Sequence, residues 1–248
     1  MRWRLGVPAN CRFEIDDAED EWDFSEKFDF IHGRALLTCF KDPSSVLREA
    51  FKSLSPGGYL ELQDGALPLQ YAGEPPVEPD LYKWSELVSA GAIKSGRPWH
   101  NAQYYKKWME ETGFEDVVEK RFFWPTSPWA KGEYYKAIAA YFPADLLKGA
   151  EGLSLKVLKA LDWTAEEVQA FVPGVKRDLK DTSIHAYFPM WVVTCFEGDE
   201  MLTNGTVMWF MKGNRKSSHE VRPGDLWGKS GCVTNCIYWY ISFILNLT

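Results

Sequence analysis

A chain of 248 residues makes one large domain or two small ones, and 46% hydrophobic with 25% charged residues excludes wholesale disorder. Its 35 acidic against 28 basic residues give a net charge of −7 and a pI near 5.2, which excludes a non-specific nucleic-acid binder, because such proteins need a basic surface to displace counterions. The unusual figure is an aromatic content of 15%, with 12 Trp and 11 Tyr, enough to fill a core and also to line a pocket for a planar ligand.

Cys11, Cys39, Cys195, Cys232 and Cys236 are odd in number with no repeated spacing, so they do not read as a disulfide framework. Residues 1–10 contain Arg2, Arg4 and Pro8 and lack the apolar run of a secretory signal, so the expected setting is the cytoplasm, with the nucleus as the second compartment.

Residues 11–16 alternate like a short strand and lead into the acidic turn Asp16-Asp-Ala-Glu-Asp-Glu21. Residues 28–32 read as a second strand ending at Gly33. Asp42 as N-cap and Pro43 at the first helical position open a helix, on which Val46, Leu47, Ala50, Phe51 and Leu54 share a face. Pro56-Gly-Gly58 is expected to stop that helix before a third strand at residues 59–64. Strand, loop, strand, helix, turn, strand is the rhythm of a parallel α/β sheet.

A Pro-rich loop spans residues 68–79, and Leu81, Trp84, Leu87 and Val88 mark an amphipathic helix to Ala92. Residues 101–112 form another, closed by Gly113. A strand is expected at 114–123, and helices at 132–141 and 154–161. Thr164-Ala-Glu-Glu167 is a capping box, and residues 185–196 are an aromatic, β-branched strand. From Gly198 no period of 2 or 3.6 persists, and residues 231–248 carry no charge. The apolar run at 237–245 falls short of the roughly 20 residues needed to span a bilayer. Domain limits follow: residues 1–197 with a lid insert at about 67–112, and residues 198–248 as a tail outside the domain, prone to disorder or aggregation.

An Asp at the carboxyl end of a parallel strand can accept a hydrogen bond from an exocyclic amine, and the next N–H can donate to a neighbouring ring nitrogen. Asp17 and Ala18 suit an adenine edge in this way, since ligands of open α/β sheets sit outside the carboxyl ends of the strands. A solvated acidic turn is the competing reading. Cys232-x-x-x-Cys236 lacks further ligands at metal spacing, so no metal is expected. No Walker loop, G-x-S-x-G or H-E-x-x-H motif occurs.

The turn at residues 16–22, Lys27-Phe-Asp-Phe-Ile-His-Gly-Arg34, Phe40-Lys-Asp-Pro43 and Pro56-Gly-Gly-Tyr-Leu-Glu-Leu-Gln-Asp64 occur in order. Through them residues 8–197 resemble the class I S-adenosylmethionine-dependent methyltransferases of fungal secondary metabolism and the related regulators. The resemblance implies a Rossmann-like sheet, S-adenosylmethionine as cofactor and a small-molecule methyl acceptor. It makes Asp17 and Ala18 adenine contacts, and sets His32, Gly33 and Arg34 beside the methyl donor. The family carries a Gly-rich loop, and then an acidic ribose ligand, ahead of the segment that begins here at Cys11. This sequence has no G-x-G. The expectation is therefore an N-terminally incomplete sheet that lacks the family's first two strands, which lie mid-sheet, and exposes a hydrophobic edge.

Tyr71, Tyr82, Trp84, Trp99, Tyr104 and Trp108 are candidates to stack on a planar acceptor, against the alternative of a lid packing its own aromatics. His100 is the candidate base, with helix capping as the alternative, and Asp64 can touch substrate or cap its loop. The competing function is a non-catalytic relative that acts on a protein partner or as a regulator.

Overall fold

The computed structural model describes residues 11–14, 17–36, 39–75, 78–198, 206–213 and 235–242. In chain order the elements are β1 (Cys11–Glu14), β2 (Phe28–Arg34), α1 (Pro43–Ser53), β3 (Leu54–Gly65), β4 (Gln70–Tyr71) and α2 (Asp80–Lys94). A 3-10 turn at Asn101–Tyr104 leads into α3 (Tyr105–Thr112), followed by β5 (Glu115–Pro125) and α4 (Glu133–Leu158). Then come α5 (Ala165–Asp178), β6 (Ala186–Glu197), β7 (Thr206–Gly213) and β8 (Asn235–Ser242). Two units divide the chain: Met1–Gln63 with Lys106–Val118 and Val193–Thr248, and Asp64–Tyr105 with Glu119–Val192.

The first unit is built on parallel strands. β2 pairs with β3 on one side and β7 on the other, β7 pairs with β8, and β8 pairs with β1, giving the order β1-β8-β7-β2-β3. α1 joins β2 to β3. Its start is as expected: the Asp42 carboxylate accepts from the Ser44 N–H at 3.0 Å and Pro43 follows it. Val46, Leu47 and Ala50 form its buried face. With Phe28, Ile31, Leu60, Met109 and Phe114 they make this unit's core, each large side chain contributing about 1.5–3 kcal/mol by burial. Phe51 meets Phe114 edge-on with centroids 4.9 Å apart. Cys195 lies 3.5 Å from the Met109 sulfur, and burial pushes its thiol up to about 12.

β3 begins earlier than expected. Pro56-Gly-Gly58 does not separate helix from strand but lies within β3, whose Leu54 already pairs with Phe28. The register then jumps to Phe30 opposite Tyr59. Gly57, at φ 76°, takes up that irregularity in a conformation a side chain would resist.

The second unit packs α2 against α4 and α5. The two helices expected at 132–141 and 154–161 are one, α4, which runs through Pro143, Gly149 and Gly152 and ends in a 3-10 turn at Lys159–Leu161. The Trp84 indole N–H donates to the Ser154 hydroxyl at 2.8 Å, and that hydroxyl donates to the Ala150 carbonyl. α2 follows Pro79, which has no side-chain cap to offer, so the Asp178 carboxylate of α5 accepts from the Leu81 N–H at 3.1 Å. The capping box of α5 is present in both directions, Thr164 with Glu167. The loop at 68–79 holds a short strand the sequence did not signal, β4, antiparallel to β6.

The range expected to stand outside the domain contains β7 and β8, both paired into the sheet. The remainder of residues 198–248, including His219 and Cys232, lies outside the described residues except for Gly198.

Candidate functional site

Just beyond β1, residues 17–22 form a turn pinned from several sides. The Asp17 carboxylate accepts from the Glu19 N–H at 3.0 Å, and its carbonyl accepts from the Asp20 N–H at 3.1 Å. Ala18 is fully buried, and its carbonyl accepts from the Trp22 indole at 3.0 Å. The Glu19 carboxylate accepts from the N–H groups of Lys41 and Asp42, tying the turn to the start of α1. An exposed carboxylate and a buried small residue are thus held side by side on a braced turn.

At the carboxyl end of β2, His32 and Glu61 are register partners across β2 and β3. The buried imidazole places Nδ1 2.9 Å from the Glu61 carboxylate, and that hydrogen bond holds the Glu61 carboxyl below its ordinary range. A Cβ on Gly33 would come within 2.7 Å of Leu62 and 2.8 Å of Leu36, so glycine here lets the strand pass close beneath its neighbours. Arg34 is exposed at the strand end. Ala35 follows in the left-handed region at φ 54°, where a residue with a Cβ pays about 1–2 kcal/mol, its N–H bonded to the Gln63 carbonyl at 3.0 Å. Strain of this kind collects at ligand sites.

The second unit holds the residues expected to meet the acceptor. Asp64 is buried and accepts from the Tyr105 hydroxyl at 3.0 Å and from the Gly65 N–H at 2.9 Å. Tyr82 is half-buried and faces Tyr71 with ring centroids 5.9 Å apart. The Tyr71 hydroxyl and the Trp99 indole N–H are buried without a partner among the described residues. Burial pushes the Tyr71 phenol up, with Tyr82, Glu86 and Asp178 adding to it. Trp84 is enclosed between helices and serves packing. His100 precedes the 3-10 turn at its N-cap position without a side-chain capping bond, and its ring meets the exposed Tyr104 edge-on at 5.9 Å.

Glu61 and Tyr105, the partners of His32 and Asp64, were not singled out by the sequence. Nor was a groove of about 510 Å³ in the second unit, whose lining includes Trp129, Lys131, Tyr135, His185 and Tyr187. Trp129 stacks on His185 at 4.9 Å, and its indole N–H donates to the Ala186 carbonyl. Among the described residues no group of His, Cys, Asp and Glu could hold a metal ion, and no helix is long and apolar enough to cross a membrane.

A family profile described as "Methyltransferase domain" matches residues 4–119. The chain is 31% identical over 190 residues to methyltransferase pytC of Aspergillus terreus, covering 75% of this chain and 58% of that protein. It is 31% identical over 188 residues to the secondary metabolism regulator laeA of Gibberella zeae, covering 73% of this chain and 60% of that one. The solved phosphoethanolamine N-methyltransferase 2 of Haemonchus contortus, in complex with S-adenosyl-L-methionine, aligns at 16% identity over 74% of this chain and 36% of that one, with a TM-score of 0.40. The chain spans a little under three fifths of pytC. Residues 4–119 match the methyltransferase-domain family, and over about three quarters of its length the chain is similar to methyltransferases and regulators of fungal secondary metabolism.

Proposed function

We propose that the protein transfers a methyl group from S-adenosylmethionine to a small-molecule acceptor in fungal secondary metabolism. The observation that carries this reading is the braced turn at residues 17–22. Its exposed Asp17 carboxylate beside buried Ala18 suits an adenine edge, the carboxylate accepting from the exocyclic amine and the Ala18 N–H donating to the ring. His32, Gly33 and Arg34 are assigned to the same cofactor edge. Glu61 fixes the His32 ring, and Gly33 keeps the strand end free of a side chain. When bound, the cofactor supplies an activated methyl on a sulfonium, so the protein's task is to bind, orient and exclude water.

The acceptor is assigned to the second unit. The unpartnered Tyr71 hydroxyl and Trp99 indole are donors suited to oxygen atoms of a planar acceptor. Tyr82 and Tyr104 offer stacking surfaces, Trp84 holds α2 behind them, and Asp64 reaches the acceptor through Tyr105 or directly. His100 is the proposed base where the acceptor must lose a proton. A cytoplasmic setting fits the buried thiol of Cys195.

The test is calorimetric titration of the folded chain with S-adenosylmethionine, followed by labelled-methyl transfer to a fungal metabolite extract. Micromolar binding and label in a small-molecule fraction are expected. No heat from a folded sample would overturn the proposal. Cofactor binding without transfer, and with a protein captured in its place, would favour the regulatory role.

A further inference from the structure

The walls of the second unit's groove are set by one carbonyl. Ala186, at the start of β6, accepts from the Thr126 N–H at 3.1 Å, the Thr126 hydroxyl at 3.0 Å and the Trp129 indole N–H at 2.8 Å. Three donors gathered on one carbonyl fix the loop after β5 against β6, and with it the Trp129 ring. That ring lies against the His185 imidazole with centroids 4.9 Å apart and planes 28° from parallel. A second pair, Phe123 and Tyr187, meets edge-on at 5.0 Å, and the Tyr187 hydroxyl donates to the Gln70 side chain at 3.0 Å. Trp129 and Tyr187 are thus tied at their polar ends, so these walls stand in place before a ligand arrives.

The groove is separate from the ring pair assigned to the acceptor. β4 is antiparallel to β6, with Gln70 opposite Tyr187 and Tyr71 opposite Ala186. Neighbouring residues of a strand project to opposite faces. Gln70 and Tyr187 therefore share the groove's face, while Tyr71, which meets Tyr82, belongs to the other and is not in the lining.

Charge and size narrow the ligand. The lining includes Lys131 and no carboxylate. Lys131 is exposed and makes no ion pair among the described residues; the next acid along the chain, Glu133, is taken by Lys136 at 3.1 Å. An ammonium without a counter-charge in the lining favours an anion, and flat aromatic walls favour a flat apolar body. The volume of about 510 Å³ is that of a site for a small molecule. We propose that this groove binds a planar aromatic carboxylate, its rings against Trp129 and Tyr187 and its carboxylate on Lys131. The site lies wholly within the second unit and does not depend on the methyl-transfer reading.

Naphthoate titrated into the isotope-labelled full chain tests it, followed at the Trp129 indole resonance, which is identified by its loss in Trp129→Phe. A Kd below about 1 mM is expected, ordinary for an aromatic acid of that size, and the Trp129 resonance should move. Lys131→Gln should weaken naphthoate at least about threefold at low salt with Tm unchanged, and leave neutral naphthamide unaffected. Cyclohexanecarboxylate, an anion without a flat ring, should bind at least about threefold more weakly than naphthoate. Naphthoate bound equally by the parent and Lys131→Gln, an unmoved Trp129 resonance, or cyclohexanecarboxylate bound as tightly would each overturn the proposal. Naphthoate binding in a chain that gives no heat with S-adenosylmethionine would retire the methyl-transfer reading and leave the groove standing. Cofactor binding in a chain that ignores naphthoate would overturn the groove alone.

Discussion

Gly91→Ala should destabilise the protein although it lies within a helix. Replacing glycine by alanine inside a helix ordinarily gains about 0.5–1 kcal/mol, because glycine loses more backbone freedom on folding. Here a Cβ on Gly91 would lie 2.5 Å from the Val157 carbonyl oxygen and 2.8 Å from its Cγ1. The nearest obstacle is backbone of α4, so relief requires α2 and α4 to move apart rather than one rotamer to turn. Overpacking of this kind costs about 1–3 kcal/mol, and the net is a loss of about 1–2 kcal/mol. For a chain of this size each 1 kcal/mol shifts Tm by roughly 2–4 °C. Gly149 and Gly152 on α4 have nothing within 4 Å of an added Cβ, so alanine at either should gain the propensity term alone. Urea denaturation followed by far-UV circular dichroism gives the three values side by side. A Gly91→Ala variant at or above parental stability would refute the close approach of α2 to α4, and a Gly149→Ala loss would refute the propensity argument.

Other expectations follow from the same geometry. Asp17→Ala removes the acceptor assigned to the adenine amine; a hydrogen bond to a charged group of about 1.5–3 kcal/mol corresponds to a Kd rise of about tenfold or more for S-adenosylmethionine. Calorimetry with Tm as the folding control decides it, and an unchanged Kd would exclude Asp17 from the site. Tyr105→Phe withdraws a hydroxyl donor from the buried Asp64 carboxylate, so thermal unfolding should occur a few degrees lower, at about 1–3 kcal/mol. A shift below 1 °C would show that the carboxylate does not depend on that donor. The Glu61 carboxyl is held below its ordinary 4.5 by the His32 hydrogen bond, so its contribution is present above pH 4.5 and is lost as pH falls through its lower folded value. Glu61→Gln should flatten the acid limb of the stability–pH curve, and an acid limb identical to the parent's would contradict the pairing.

What was legible in the sequence was local. Asp42-Pro43 and the Thr164 capping box announce helix starts because the cap and its receiving N–H groups lie within three residues of each other. Local propensity splits α4 in two, because Pro143, Gly149 and Gly152 are breaker residues. The burial of Ala150, Ser154 and Val157 carries the helix through them, and no local propensity reports that burial. The same division runs through the site. The turn holding Asp17 and Ala18 is a short contiguous motif and could be found by eye. Glu61 reaches His32 only through strand register, and Tyr105 reaches Asp64 across 41 residues. Partners of that kind follow from topology, which a single sequence does not display.

The chain's C-terminal segment shows how one composition supports two opposite expectations. An uncharged stretch such as Ile237-Tyr-Trp-Tyr-Ile241 has the apolar, β-prone character of an aggregating segment when nothing covers it. The same character is required of a parallel strand with neighbours on both sides, because such strands are near-continuous apolar runs without alternation. Loss of the period of 2 therefore argues against a half-exposed strand and does not argue against a central one. What separates the two cases is whether the fold has an unfilled place of the right direction. β1 and β2 provide one: each would present an open hydrogen-bonding edge toward the other, and β8 and β7 run parallel to them in those positions. The aromatic excess of the whole chain then falls in two places, among the residues of the second unit and in the sequence of the two strands that lie between β1 and β2.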